Sequence, residues 1–119
     1  MILYRIISEQ EWIKAKAEGK VPRCNSDNRA NCVHLTKFED IKQVSAAFFT
    51  KDEKPVVIEV DTENFGEALY WESPNIKKPW HQPNVRIDNI SLKDVKRYCY
   101  LNSLGINQFE IGEFQSLSN

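Results

Sequence analysis

The stretch CVHLTKFEDIKQVSAAFF, residues 32–49, changes its hydrophobic period part-way along. Residues 32–35 are short, apolar and β-rich around a single histidine, His34, which is the pattern of a strand. Beyond it Phe38, Ile41, Val44 and Phe48 recur at helical spacing, giving one apolar stripe over a helix that reaches about Phe49. Thr36 and Glu39 stand between the two at the spacing of a capping box. A strand that hands over to an amphipathic helix within one short segment predicts an α+β domain.

The flanks extend this pattern. Upstream, residues 2–7 (ILYRII) read as a strand interrupted by one charge, Arg5. Ser8 and Glu11 form a capping box for a helix running to about Glu18, with Trp12 and Ala15 on its inward face and Gly19 to end it. Residues 23–31 are polar and aperiodic, a loop. Downstream, residues 51–54 form a charged turn, and VVIEV at 56–60 has the apolar density of a central strand. Residues 61–67 connect to a short extended or helical piece at 69–72, and residues 73–83 form a loop punctuated by Pro74, Pro79 and Pro83. Residues 85–87 and 97–101 alternate as strands, and Ser91 caps a short turn containing Leu92 and Val95. The domain proper is expected over 1–101, with 102–119 a C-terminal extension that adds an edge strand at 108–114 and frays over 116–119.

At 119 residues the chain suits a single core, and 41% apolar with 28% charged residues is ordinary for a globular domain. Sixteen basic and seventeen acidic residues are interspersed, for a net charge of −1, which argues against duplex nucleic acid or an anionic membrane as partner. The longest apolar run, residues 46–49, is far too short to span a bilayer. Three cysteines, Cys24, Cys32 and Cys99, without a CxxC pair read as thiols of a reducing compartment, so a cytoplasmic protein is expected. For zinc, Cys24, Cys32, His34 and His81 lack the close cysteine pair that structural sites use, and no metal is expected. Four scattered glycines exclude a phosphate-binding glycine-rich loop.

ILYRIISEQEWIKAKAEGK, CVHLTKFEDIKQVSAAFF, VVIEVDTENFGEALYWE and PWHQP follow one another in the order and spacing of a known pattern over roughly residues 2–95. The chain resembles the domain of unknown function 952 family, whose members resemble the ADP-ribosyltransferase fold. The resemblance carries over to Trp12, His34, Thr36, Trp71, Glu72 and His81. It departs at Asn31-Cys32, at Trp80 and at Pro83-Asn84. What it implies is a small split β-sheet with two main helices, a cleft between the first strand and the Val33 strand, and NAD as substrate. Arg5, His34, Thr36 and Trp71 would then bind the nucleotide, and His34, His81 and Glu72 would carry the chemistry.

The implied roles are chemically coherent. Cleaving a nicotinamide glycosidic bond develops an oxocarbenium-like sugar, so the diphosphate and ribose hydroxyls must be held rigidly. In that scheme Arg5 clamps a phosphate, His34 orients a ribose hydroxyl, the helix after Thr36 offers its amides to an anion, and Glu72 stabilises the cation or activates an acceptor. Arg5, His34, Glu72 and His81 are expected to converge in one cleft. Each has a plainer alternative: His34 a hydrogen-bonded half-buried strand residue, His81 an exposed loop residue, Arg5 an edge-strand charge, Glu72 a surface partner of Arg86 or a lysine, and Trp71 a core residue. At the level of function, the alternatives are a catalytically silent nucleotide-binding or protein-interaction module and an RNA-end phosphotransferase, which the neutral charge balance disfavours.

Overall fold

The computed structural model describes residues 1–117, and its backbone is built around one long antiparallel sheet. Strand β1 (Ile2–Ile7) pairs with β4 (Val56–Asp61), β4 with β8 (Val95–Gly105), and β8 with both β9 (Gln108–Ile111) and β10 (Gln115–Ser116). The VVIEV strand is central, as its apolar density predicts: Val56, Val57, Ile58 and Val60 are all fully buried. A second sheet joins β3 (Val33–His34), β6 (Gln82–Val85) and β5 (Leu69–Glu72), and a two-stranded ribbon joins β2 (Lys20–Pro22) to β7 (Asn89–Ser91). A single bridge links the two larger sheets, Tyr4 N–H to Thr36 C=O at 2.8 Å and Thr36 N–H to Tyr4 C=O at 2.6 Å. The result is an α+β domain with a divided sheet.

Helix α1 (Glu9–Glu18) starts and stops where the sequence says it should. Ser8 and Glu11 exchange both capping-box hydrogen bonds, and Gly19 leaves the helix at φ 81°, a conformation that costs glycine nothing. Trp12 and Ala15 are fully buried against Leu3 and Ile7. Tyr4 and Ile6, on the other face of β1, pack with Ile41, Val57, Cys99 and Phe109. Strand alternation places Arg5 on the Leu3 and Ile7 face, inside the first of these two cores.

Four local expectations are corrected. Residues 23–31 are not all loop: α2 (Asn25–Ala30) forms there, closed by Asn31 at φ 56°. A helix this short does not persist on propensity alone, and the tertiary bonds of Asp27, described below, hold it. The capping box at Thr36 and Glu39 does not form, because the Thr36 backbone is committed to Tyr4. A 3₁₀ turn (Phe38–Asp40) intervenes and α3 (Ile41–Phe48) begins only after it, so Phe38 is half exposed and packs on the Tyr4 ring. The proline-rich loop ends early, since Gln82 and Pro83 belong to β6, where the Pro83 carbonyl accepts from Leu35 N–H at 2.8 Å. Ser116 pairs with Arg97 and Leu117 N–H donates to Lys96 C=O, so these two do not fray; Ser118 and Asn119 lie outside the described residues. Strand β8 crosses residue 101 unbroken, and Phe109 beyond it is buried. Among the described residues no helix is long and apolar enough to cross a membrane.

Candidate functional site

A buried arginine on a core face demands an anion, and α2 delivers one. Asp27 has no exposed surface. Its carboxylate accepts from Arg5 Nη2 at 2.5 Å and Arg5 Nη1 at 3.2 Å, the two-pronged geometry that suits guanidinium to carboxylate. It also accepts from the backbone N–H groups of Cys24 (3.0 Å) and His34 (3.1 Å) and meets His34 Nδ1 at 2.7 Å. Arg5 Nη1 in turn donates to the His34 carbonyl at 2.8 Å. One carboxylate therefore ties β1, α2 and β3 together.

Burial would push the Asp27 carboxyl up. The His34 hydrogen bond, the Arg5 charge and the Cys24 amide overcome that and hold it well below the usual carboxylate range. Arg5 is likewise desolvated, yet the Asp27 charge raises its pKa above the ordinary value. An ionised Asp27 can only accept, so His34 Nδ1–H donates to it, which fixes the ring's orientation and turns Nε2 into the nitrogen left for other partners.

His34, Arg5, Cys24 and Thr36 line a half-open pocket of about 330 Å³ between β1, β3 and α3. Phe48 and Phe49 form its apolar wall, and Arg29 and Lys78 contribute cations. Gln82 also lines it, locked by donating to the carbonyls of Leu35 (2.5 Å) and Pro83 (3.0 Å) and accepting from Trp80 Nε1 (3.0 Å). Trp80, which departs from the family pattern, is buried and meets Phe48 edge-on.

The structure thus brings together Arg5, His34 and Thr36 but not the other expected residues. Glu72 accepts a hydrogen bond from Asn84 Nδ2 and lines an adjoining hollow of about 140 Å³ with Ser73 and Lys77, which shares Lys78 and Gln82 with the pocket but not His34. Arg86 stacks on Tyr70 at 3.9 Å rather than pairing with Glu72. Trp71 is 43% exposed, neither core nor pocket wall, and His81 is exposed and lines neither space. Strand β1 is the outer strand of its sheet, but Arg5 is 7% exposed and turned into the core, so its charge does not guard a solvent-facing edge. Nor is it free to clamp a phosphate, because Asp27 and the His34 carbonyl occupy both its terminal nitrogens. No group of three or more His, Cys, Asp or Glu side chains among the described residues is arranged to hold a metal ion. Asp27 is the residue that sequence reasoning missed. The signal for it was Arg5 itself, a cation in an apolar strand that needed a partner.

Fold and site together define a small α+β domain with a divided antiparallel sheet and a pocket built on an Arg–Asp–His cluster. A family model described as "Protein of unknown function (DUF952)" matches residues 6–90, and the chain belongs to that family. The X-ray crystal structure of protein CC0527 from Caulobacter crescentus is similar, at 24% identity and a TM-score of 0.78 over 92% of this chain and 94% of that one. The solution NMR structure of CC0527 gives 27% identity and a TM-score of 0.71 over 90% and 91%. No curated protein matches the chain.

Proposed function

We propose that this pocket binds a nucleotide of the NAD or ADP-ribose class, with His34 as its central polar contact. The observation that carries the reading is the His34 ring, held by a buried, ionised Asp27 at the wall of a pocket that has an aromatic side and two cations. A volume of about 330 Å³ is at the small end of ligand pockets. It suits one nucleoside moiety against Phe48 and Phe49, with a diphosphate running out past Arg29 and Lys78. The ADP-ribosyltransferase relationship belongs to the same proposal and is supported by the divided sheet and the place of His34. Three free thiols support the cytoplasm as the setting.

Were the bound nucleotide NAD, cleavage would expel nicotinamide with the glycosidic bonding pair while an acceptor hydroxyl or water attacked the sugar. His34 Nε2 is the base placed to take the proton released. A specific observation favours the second reading, binding without cleavage. Asp27, the carboxylate bonded to His34, is already paired with Arg5, Glu11 accepts from Ser8 N–H with one oxygen only, and Glu72 lies in the adjoining hollow. The carboxylate beside His34 is therefore not free to stabilise an oxocarbenium ion.

Titrating NAD and ADP-ribose while following thermal unfolding separates the readings, because a ligand that binds only the folded state raises the melting temperature. A shift with nicotinamide release supports cleavage. A shift without release supports the silent binding module, and the absence of any shift refutes nucleotide binding.

A further inference from the structure

Gln82 lines both the pocket and the adjoining hollow, although it is only 6% exposed. Its backbone lies inside β6, and Asn84, two residues on, is the cross-strand neighbour of His34, so alternation turns the Gln82 side chain to the His34 face. Both N–H groups of that side chain are used: Nε2 donates to the Leu35 carbonyl at 2.5 Å and to the Pro83 carbonyl at 3.0 Å. Oε1 accepts from Trp80 Nε1 at 3.0 Å. A flipped amide would set its oxygen against two carbonyl oxygens and its nitrogen against an indole N–H, so the polarity is fixed. An amide oxygen has two lone pairs, and Trp80 takes one. The hydrogen-bonding capacity that Gln82 has left is therefore an acceptor, and any polar contact its side chain makes with a ligand requires a donor on that ligand.

Trp80 relates that acceptor to the rest of the pocket. The same indole that donates to Gln82 meets Phe48, part of the apolar wall, edge-on at 6.1 Å between ring centroids. One ring thus joins the acceptor to the surface on which a planar base would lie. We infer that Gln82 reads the base of the bound nucleotide and selects adenine through its exocyclic amino group, which donates to Oε1. The inference rests on the nucleotide reading of the pocket and adds the choice of base to it. A purine without that amino group leaves the Oε1 lone pair unmatched, and Gln82 cannot turn to offer an N–H instead, because Leu35 and Pro83 hold both.

The test is calorimetric titration with ADP-ribose and with its analogue carrying unsubstituted purine in place of adenine, which keeps the ring system, both riboses and the diphosphate and lacks only the amino donor. ADP-ribose should bind about 3- to 10-fold more tightly, the worth of one hydrogen bond. In Gln82→Met the two affinities should become equal. The ratio is taken within one protein, so a general loss of stability on removing the bonds to Leu35 and Pro83 cancels. Should that variant not fold, Trp80→Phe, which takes away only the indole donor and leaves Oε1 an acceptor, should keep the preference for adenine. Equal affinities of the wild type for the two ligands would overturn the choice of base and leave nucleotide binding standing, whereas binding of neither would overturn both. A preference undiminished in Gln82→Met, or lost in Trp80→Phe, would also overturn the role of Gln82.

Discussion

Replacing Asp27 by asparagine keeps the shape of the side chain and removes its charge, which makes it the sharpest probe of the cluster. In the native protein the carboxylate takes both terminal nitrogens of Arg5, two backbone N–H groups and His34 Nδ1, all away from water. The substituted amide offers one acceptor oxygen where two are used, and turns an NH₂ toward a donor. The larger effect is on Arg5, 7% exposed and left without its counter-charge. Breaking a buried ion pair from one side costs about 3–5 kcal/mol. For a domain of this size that corresponds to a melting temperature lower by roughly 10–20 °C. Urea unfolding followed by tryptophan fluorescence measures it. Arg5→Met in the Asp27→Asn background should recover part of the loss, because the orphaned charge is then gone. A loss below about 1 kcal/mol in the single variant, the scale of an exposed ion pair, would refute the claim that this cluster is desolvated and holds the three elements together.

The remaining predictions concern pH, the pocket and the sheet. Because the Asp27 carboxyl is depressed in the folded state, its contribution is complete above the unfolded carboxylate value of about 4 and is lost as pH falls from there toward the folded value. Urea midpoints measured from pH 6 down to pH 2 should therefore fall at the acid end, and the gap between wild type and Asp27→Asn should narrow there; a constant gap would contradict the depressed pKa. His34→Ala should remove most of the stabilisation by ADP-ribose, whereas His81→Ala, exposed and lining neither space, should change ADP-ribose affinity less than about twofold by calorimetry. Equal losses in the two variants would place the ligand elsewhere. Gly112→Ala would put a methyl group 2.5 Å from the Tyr100 carbonyl oxygen. The backbone must move to relieve that contact, so a cost of about 1–3 kcal/mol is expected in urea unfolding.

Elements whose signals are local could be read from the sequence. The Ser8 and Glu11 box, the Gly19 stop and the apolar strand 56–60 depend on residues within one turn or one run, and each stands where its signal lies. Thr36 and Glu39 carry the same local signal as Ser8 and Glu11, yet no cap forms, because Tyr4 takes the Thr36 backbone first. A long-range pairing decides that position, and no spacing rule reports it. Glu72 and His81 were grouped with His34 through a pattern of order along the chain, which does not fix the direction of side chains on an antiparallel strand and its loop. Glu72 lies on β5, two strands from His34 on β3, and turns to Asn84.

Arg5 and Asp27 show the same division from the side of energetics. A lone charge in ILYRII is visible at once, and its alternation with Leu3 and Ile7 already implies burial on the core face. Burial of a guanidinium without a counter-charge is too costly to persist, so an acidic partner had to exist. Its identity was not accessible, because Asp27 sits in a polar stretch that has no periodicity and becomes helical only through the bonds its own side chain makes. The polar segment is thus ordered by the charge it neutralises, and the histidine is positioned by the same carboxylate. Pocket and fold share that one group, which is why a substitution that disarms His34 through Asp27 also destabilises the protein, and why His34→Ala, which leaves the Asp27–Arg5 pair and both backbone N–H bonds to Asp27 in place, is the variant that tests binding at the smaller structural cost.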